Sequence, residues 1–158
     1  MATYKVIHEP QKYHDQDSFE QVIGYVTTPG KVSPDGVIGG AVSPGTAAVE
    51  MEDVVQAFHK EKGLKLRHSV LSFAPEEPVT ARQVKEIAGE CIRYYEDDYQ
   101  ILAAVHEDRD HLHIHFVMNT TSYRNGRKYH GDKADYYGFL SYMKRVVKPY
   151  GSYVKLEK

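Results

Sequence analysis

Hydrophobic and polar positions alternate with two periods along the chain, and the switches between them outline its elements. "TYKVI" (3–7) has the two-residue alternation of a short strand. "SFEQVIGYVTTP" (18–29) changes to helical spacing, with Phe19, Val22, Ile23 and Val26 on one stripe and Ser18 and Gln21 at capping-box separation. Pro29 and Gly30 stop it, and the Gly/Pro-rich stretch 30–46 reads as a loop with room for a strand at "GVIGGAV". A second helix is expected over 47–61, on Met51, Val54, Val55 and Phe58. "LRHSVLSF" (66–73) is a strand. Thr80 and Gln83 then form a second capping box, for a helix to about 96. "YQILAAVH" (99–106) is a buried strand, "EDRD" a turn, and "LHIHFVMN" (112–119) the next strand. Asn125-Gly126 signals a two-residue hairpin, and a last helix is expected over 135–148. Strands in mid-chain hairpins, with helices between the others, predict an α+β, two-layer domain. Its central sheet would be mainly antiparallel, with helices packed chiefly on one face.

At 158 residues, 41% hydrophobic and 27% charged, the chain has the size and composition of one globular domain, 1–158. No apolar run approaches the ~20 residues of a bilayer span, and the N-terminal stretch lacks a signal-peptide core, so no membrane insertion and a cytoplasmic location are expected. Cys91 falls on a helical stripe as core filler, and nothing marks a dimer face, so a monomer is expected. Net charge is only −2, but it is segregated. Residues 76–110 carry 4 basic and 10 acidic side chains, and residues 121–158 carry 9 and 3. A basic segment thus follows the chain's most unusual run directly, where it could hold phosphates or simply be a solvated face.

That run is "HEDRDHLHIHFVMN" (106–119), with four of the nine histidines. Strand alternation puts Leu112, Ile114, Phe116 and Met118 on a buried face and His113, His115, Val117 and Asn119 on the other. Two imidazoles two positions apart project side by side, and a turn could return His106 beside them. Three neutral imidazoles with open positions suit a Lewis-acid metal site, with Asp108 or Asp110 able to orient a ligand ring. The plain alternative is a half-exposed strand that carries its histidines toward solvent.

Two resemblances bear on the choice. "HLHIHFV" fits the signature of the histidine-triad nucleotide hydrolases, but leaves His106, Asp108 and Asn119 unused. The whole run fits HxDxxHxHxHxxxN, which resembles the third motif of plasmid mobilisation relaxases of the MobA/VirD2 type, within the HUH endonucleases. "LSFAPEEPVTARQ" looks like their second motif, and "QVIGYVTTPGKV" is similar to their first, in the family's order. "NGRKYH" resembles the segment after the third motif. Glu76 departs from the glycine frequent in the second motif. The chain is also short for such a protein, or lacks the usual C-terminal extension.

The relaxase resemblance implies site- and strand-specific DNA nicking and rejoining through a 5′-phosphotyrosine, in plasmid mobilisation or conjugative transfer. Tyr25 stands at the nucleophile's place, and a phenol with pKa ~10 needs a base or a nearby cation to act at neutral pH. His106, His113 and His115 stand at the metal ligands, with His111 as a further ligand or a neighbour of the set. The ion would be divalent, Mg or Mn ahead of Zn or Ni. Asp108 and Glu77 match the motifs' acids. Ser72, Lys31, Asn119, Arg124, Arg127, Lys128 and Lys133 would contact the DNA backbone. The implied partners are single-stranded DNA at a transfer origin, accessory mobilisation proteins and a coupling protein. A DNA-binding remnant without turnover is the non-catalytic alternative.

Overall fold

The computed structural model describes residues 1–8, 13, 14, 16–107 and 111–156. Its centre is a six-stranded sheet in the order β2-β4-β5-β3-β1-β6. The strands are β1 (Ala2–Ile7), β2 (Val37–Gly40), β3 (Leu66–Ser72), β4 (Ile101–His106), β5 (His113–Asn119) and β6 (Val154–Leu156). Every pair is antiparallel except β1–β6, which is parallel. Among the described residues the named α-helices are α1 (Ser18–Val26), α2 (Ala47–Ala57), α3 (Ala81–Cys91) and α4 (Lys133–Val147). The α+β class and the mainly antiparallel sheet agree with the sequence reading. Among the described residues no helix is long and apolar enough to cross a membrane.

The helices distribute two to each face, where the sequence reading gathers them chiefly on one. The larger core lies under α3 and α4, where Ile101, Ala103, Val105, Ile114, Phe116 and Met118 meet Val84, Ile87, Phe139 and Met143. The opposite face carries Leu66, Leu102, Ala104 and Val117 beneath Phe19, Val22, Ile23 and Val26 of α1 and Met51 and Val55 of α2. β4 is buried at every position, which requires cover on both sides. The histidines lie on this second face, so α1 lies against the surface that carries them.

Local signals explain most element ends. Thr80 caps α3 with the full reciprocal box to Gln83. The proposed Ser18 box at α1 does not form. Asp17 is the N-cap, its carboxylate accepts from the Gln21 amide at 2.6 Å, and Ser18 is buried. Asn125-Gly126 turns the chain, but in a longer loop than expected. The Ser122 N–H donates to the Arg127 carbonyl and the Gly126 N–H to the Ser122 carbonyl, so four residues separate the paired positions. Only one bridge, Thr121 with Lys128, follows, and no further strand forms there among the described residues. β6 was not foreseen, since three residues beside a terminus carry too little pattern.

The segment after β5 is anchored by a tyrosine–aspartate cluster. Tyr95 and Tyr129 both donate to the Asp135 carboxylate, and Arg67 donates to the Tyr95 hydroxyl at 3.1 Å while lying over the Tyr129 ring. Burial raises both phenols well above their ordinary pKa, so they remain donors to Asp135. Gly126 closes the turn with φ +73°, where a Cβ would overlap the Phe58 ring. Gly126→Ala is therefore expected to cost more than about 1 kcal/mol in urea unfolding, through a left-handed backbone and overpacking together. An unchanged midpoint would show that the turn is not packed as described.

Candidate active site

Register decides which histidines meet. β5 lies between β4 and β3, pairing His113 with His106 and Ser72, and His115 with Ala104 and Val70. His68 pairs with Val117, so it stands on the same face one step further along. The resulting group is centred on His115. The His106 ring lies 4.1 Å from it centroid to centroid, the His68 ring 5.2 Å and the His113 ring 6.3 Å. His111 stacks on His113 at 4.5 Å, outside this group.

Hydrogen bonds fix two of these rings. His106, only 4% exposed, donates Nε2–H to the Val26 carbonyl at 2.7 Å, because a carbonyl can only accept. In the neutral ring Nδ1 then carries the lone pair. His115 Nδ1 shares a proton with His68 Nε2 at 2.9 Å, and His68 Nδ1 lies 3.1 Å from the Tyr13 hydroxyl. His68 and Tyr13 were not singled out from the sequence. The parity of "LRHSVLS" puts His68 on one face with Val70 and Ser72, but nothing in the chain says that this face meets His115.

Tyr25 occupies the last turn of α1, beside the carbonyl that His106 holds. It is 54% exposed, and its ring, His68 and His115 line one cleft of about 380 Å³. The Lys31 ammonium lies 4.8 Å from the centre of the Tyr25 ring. Burial first, then the neighbouring His106, His68 and His113 and the Lys31 charge, push His115 down to about 2, so it stays neutral at any working pH.

The other expected site residues separate. Asp108 lies outside the described residues. Ser72 is half-buried opposite His113. Glu77 forms an ion pair with the Met1 amino group, its side chain only 2% exposed, which gives it a tie within the fold. Asn119 corrects the expectation of a DNA contact. It is fully buried, donates to the Met51 carbonyl and the Gln100 side chain, and accepts from the Thr121 N–H. Every group it could offer a phosphate is already used. Arg124 donates to the Asp97 carbonyl, while Arg127 and Lys133 are exposed. Lys128 turns inward onto the Leu64 carbonyl and Thr120.

The donor chemistry fits a divalent ion. His115 is held neutral by its surroundings, and His106, His113 and His115 share one end of one sheet face. Among the described residues no three donors converge on a common point.

The depression of His115 has a sign that can be tested. The folded state disfavours its proton, whereas the unfolded chain takes it up near 6.5. Its contribution to stability is thus complete above about pH 6.5 and lost as pH falls below that, by up to about 1.4 kcal/mol per unit. In chelator, urea unfolding at pH 7 and pH 5 is expected to show this loss, and His115→Gln to make the slope shallower. Equal slopes in the two proteins would mean that His115 is not held neutral.

Comparison with known proteins agrees with this geometry. Residues 25–152 match the family model of the MobA/VirD2-like relaxase nuclease domain. The chain is similar to a protein rlx of Staphylococcus aureus, 36% identical over 76 residues, which cover 48% of this chain and 23% of the relative. It is also similar to the group II intron-interrupted relaxase LtrB of Lactococcus lactis, 29% identical over 76 residues, covering 48% and 14%. The chain thus matches less than a quarter of the length of either relative. In fold it resembles a solved structure reported for the molecular basis of vancomycin resistance transfer in Staphylococcus aureus. The TM-score is 0.70 at 8% identity, across 100% of this chain and 99% of that one. These matches favour the relaxase resemblance over the histidine-triad one. The family model takes in most of the chain, from Tyr25 through all the histidines of the site, and the chain belongs to the MobA/VirD2-like relaxases, as their nuclease domain.

Proposed function

We propose that this domain nicks and rejoins one strand of DNA at a transfer origin, with Tyr25 as the nucleophile, during mobilisation or conjugative transfer of its element. The observation that carries the reading is the shared cleft of Tyr25 and His115, with the Lys31 ammonium against the Tyr25 ring. The Tyr25 oxygen attacks the scissile phosphorus as its proton passes to a base, a bond from that oxygen to phosphorus forms, and the P–O5′ bond is kept. The bond from phosphorus to the 3′ oxygen breaks, and that oxygen leaves as a hydroxyl after taking a proton. The ester exchange conserves the bond for rejoining.

His106, His113 and His115 would hold a divalent ion, Mg or Mn by the family's habit. Such an ion, when bound, draws negative charge from the non-bridging phosphate oxygens. The chain's own groups do the positioning. His106 holds the end of α1, and so the backbone next to Tyr25, against the histidine strand. Lys31 supplies a cation between the phenol and the histidines, where a phosphate would rest. Asp108 is carried as the acid beside the ligands, on its motif position alone. Arg124, Arg127 and Lys133 remain candidates for the DNA backbone, with Ser72 beside the site. Accessory mobilisation proteins and a coupling protein are proposed partners by family membership.

With Mn²⁺ and a labelled single strand from the chain's own transfer origin, a covalent adduct is expected that survives denaturation. Tyr25→Phe is expected to abolish it, and His113→Ala to reduce it at least a hundredfold. An adduct undiminished in Tyr25→Phe would overturn the nucleophile. Strand binding without any adduct, under Mg²⁺ or Mn²⁺, would favour the remnant that binds but does not cut.

A further inference from the structure

A pocket of about 700 Å³ lies beside the cleft of Tyr25 and His115. Among the described residues β1 pairs with β3 only as far as Ile7 with His68. The segment after Thr120 lines the pocket. Among the described residues the lining includes Lys5, Arg67 and Lys128, three tyrosines (Tyr13, Tyr129 and Tyr136), and no Asp or Glu. That is an unusual local composition for a chain of net charge −2.

Among the described residues, two of the cations have neutral hydrogen-bond partners, with the Asp135 carboxylate one hydroxyl removed from Arg67. Lys128 donates to the Leu64 carbonyl at 2.8 Å and to the Thr120 hydroxyl at 3.0 Å. Arg67, half-buried, donates to the Tyr95 hydroxyl and packs over Tyr129. A partly buried cation without a counter-charge is costly, and the cost falls when an anion arrives. Burial, with Lys60 and Lys65 nearby, also holds Lys128 below the ordinary lysine range. Ile7 and Tyr13 line both the pocket and the cleft of Tyr25 and His115, so the two adjoin.

We propose that this pocket holds one nucleotide of the substrate strand, close to the attacked phosphate, with its phosphate on Lys128 and Arg67 and its base against the tyrosines. Cations that track a backbone beside aromatic platforms are the usual means of binding single strands. The inference rests on the nicking reading for its choice of a DNA strand. The chemistry alone, an anion joined to a flat ring, would equally suit a free mononucleotide.

Binding of a labelled transfer-origin strand to the Tyr25→Phe protein, followed by fluorescence anisotropy, tests it without cleavage. Lys128→Gln is expected to weaken binding about tenfold and to make the plot of log K against log salt shallower by about 0.7. Lys5→Gln should act in the same direction, should Lys128→Gln fail to fold. Lys144→Gln, the same charge change on an exposed position of α4, should alter neither quantity. Removing bases one at a time should reveal one position whose loss costs about tenfold, and that penalty should disappear in Tyr136→Leu. Equal effects of Lys128→Gln and Lys144→Gln, or abasic penalties unchanged in Tyr136→Leu, would overturn the pocket. A deoxynucleoside monophosphate that binds as tightly as the strand, and equally needs Lys128, would overturn the strand as its occupant. A Tyr25 adduct without pocket dependence defeats only this inference, whereas pocket-dependent binding without an adduct defeats only the nicking reading.

Discussion

The site depends on one hydrogen bond, from His106 Nε2 to the Val26 carbonyl, which joins residues eighty positions apart. The last carbonyls of a helix have no partner within it, and burial of such an end requires one from elsewhere. His106 supplies it from the end of the most buried strand. The bond sets where α1 stops, and hence where the adjoining Tyr25 emerges from the sheet surface. It also fixes the tautomer of a neutral His106, leaving Nδ1 as its free lone pair. One imidazole thus joins scaffold to site, and a substitution there would disturb the position of the phenol as well as the donor set.

That arrangement is possible only because the sheet is covered on both sides. β4 and β5 carry apolar side chains at both parities near the middle of the sheet, at Leu102, Ala104 and Val117 as well as at Ile101, Ala103 and Phe116. α1 and α2 cover the second set, and polar groups flank it, with His106, His113 and His115 toward one end and Asn119 at the other. The site is therefore the uncovered end of an otherwise apolar interface. This explains both the depressed basicity of His115 and the access that remains to the cleft. The charge segregation along the chain also softens on folding. Arg124 from the basic segment meets the backbone and carboxylate of the acidic turn at Asp97 and Asp98.

What could be read from the sequence follows from the range of each interaction. Periodicity gave the four helices, and the Thr80–Gln83 box formed as read, because those signals act within a turn or two. The uninterrupted apolar run of β4 already implied cover on both faces, but the reading gave it to one. Register was beyond reach. It alone brings His68 beside His115, and no local pattern encodes which strand lies next to β5. Asn119 was misjudged for a related reason. A motif gives a residue's identity, but not whether its hydrogen bonds are used within the fold, as all of those of Asn119 are. Of the motif's other positions, His106, His113 and His115 share one end of a sheet face because they lie on two adjacent strands, and Tyr25 lies on the helix that His106 holds.

The chain Tyr13–His68–His115 adds a constraint on how the site can work. Two proton orders satisfy its 3.1 and 2.9 Å contacts. In one, Tyr13 donates to His68 Nδ1 and His68 Nε2–H donates to His115 Nδ1. The proton of neutral His115 then sits on Nε2, and neither of its nitrogens has a free lone pair. In the other, His115 Nδ1–H donates to His68 Nε2, His68 Nδ1–H donates to the Tyr13 oxygen, and His115 Nε2 is left open. Only the second order makes His115 a ligand, and it needs a neutral His68 that gives its single proton to a phenol oxygen. A metal-ligating histidine commonly passes its other N–H to a partner that fixes the ring, and in the proposed site that partner would be His68, backed by Tyr13. On the proposed reading of His115 as a ligand, the proton on His68 would decide whether Nε2 of His115 is open, although His68 occupies no position in the histidine motif.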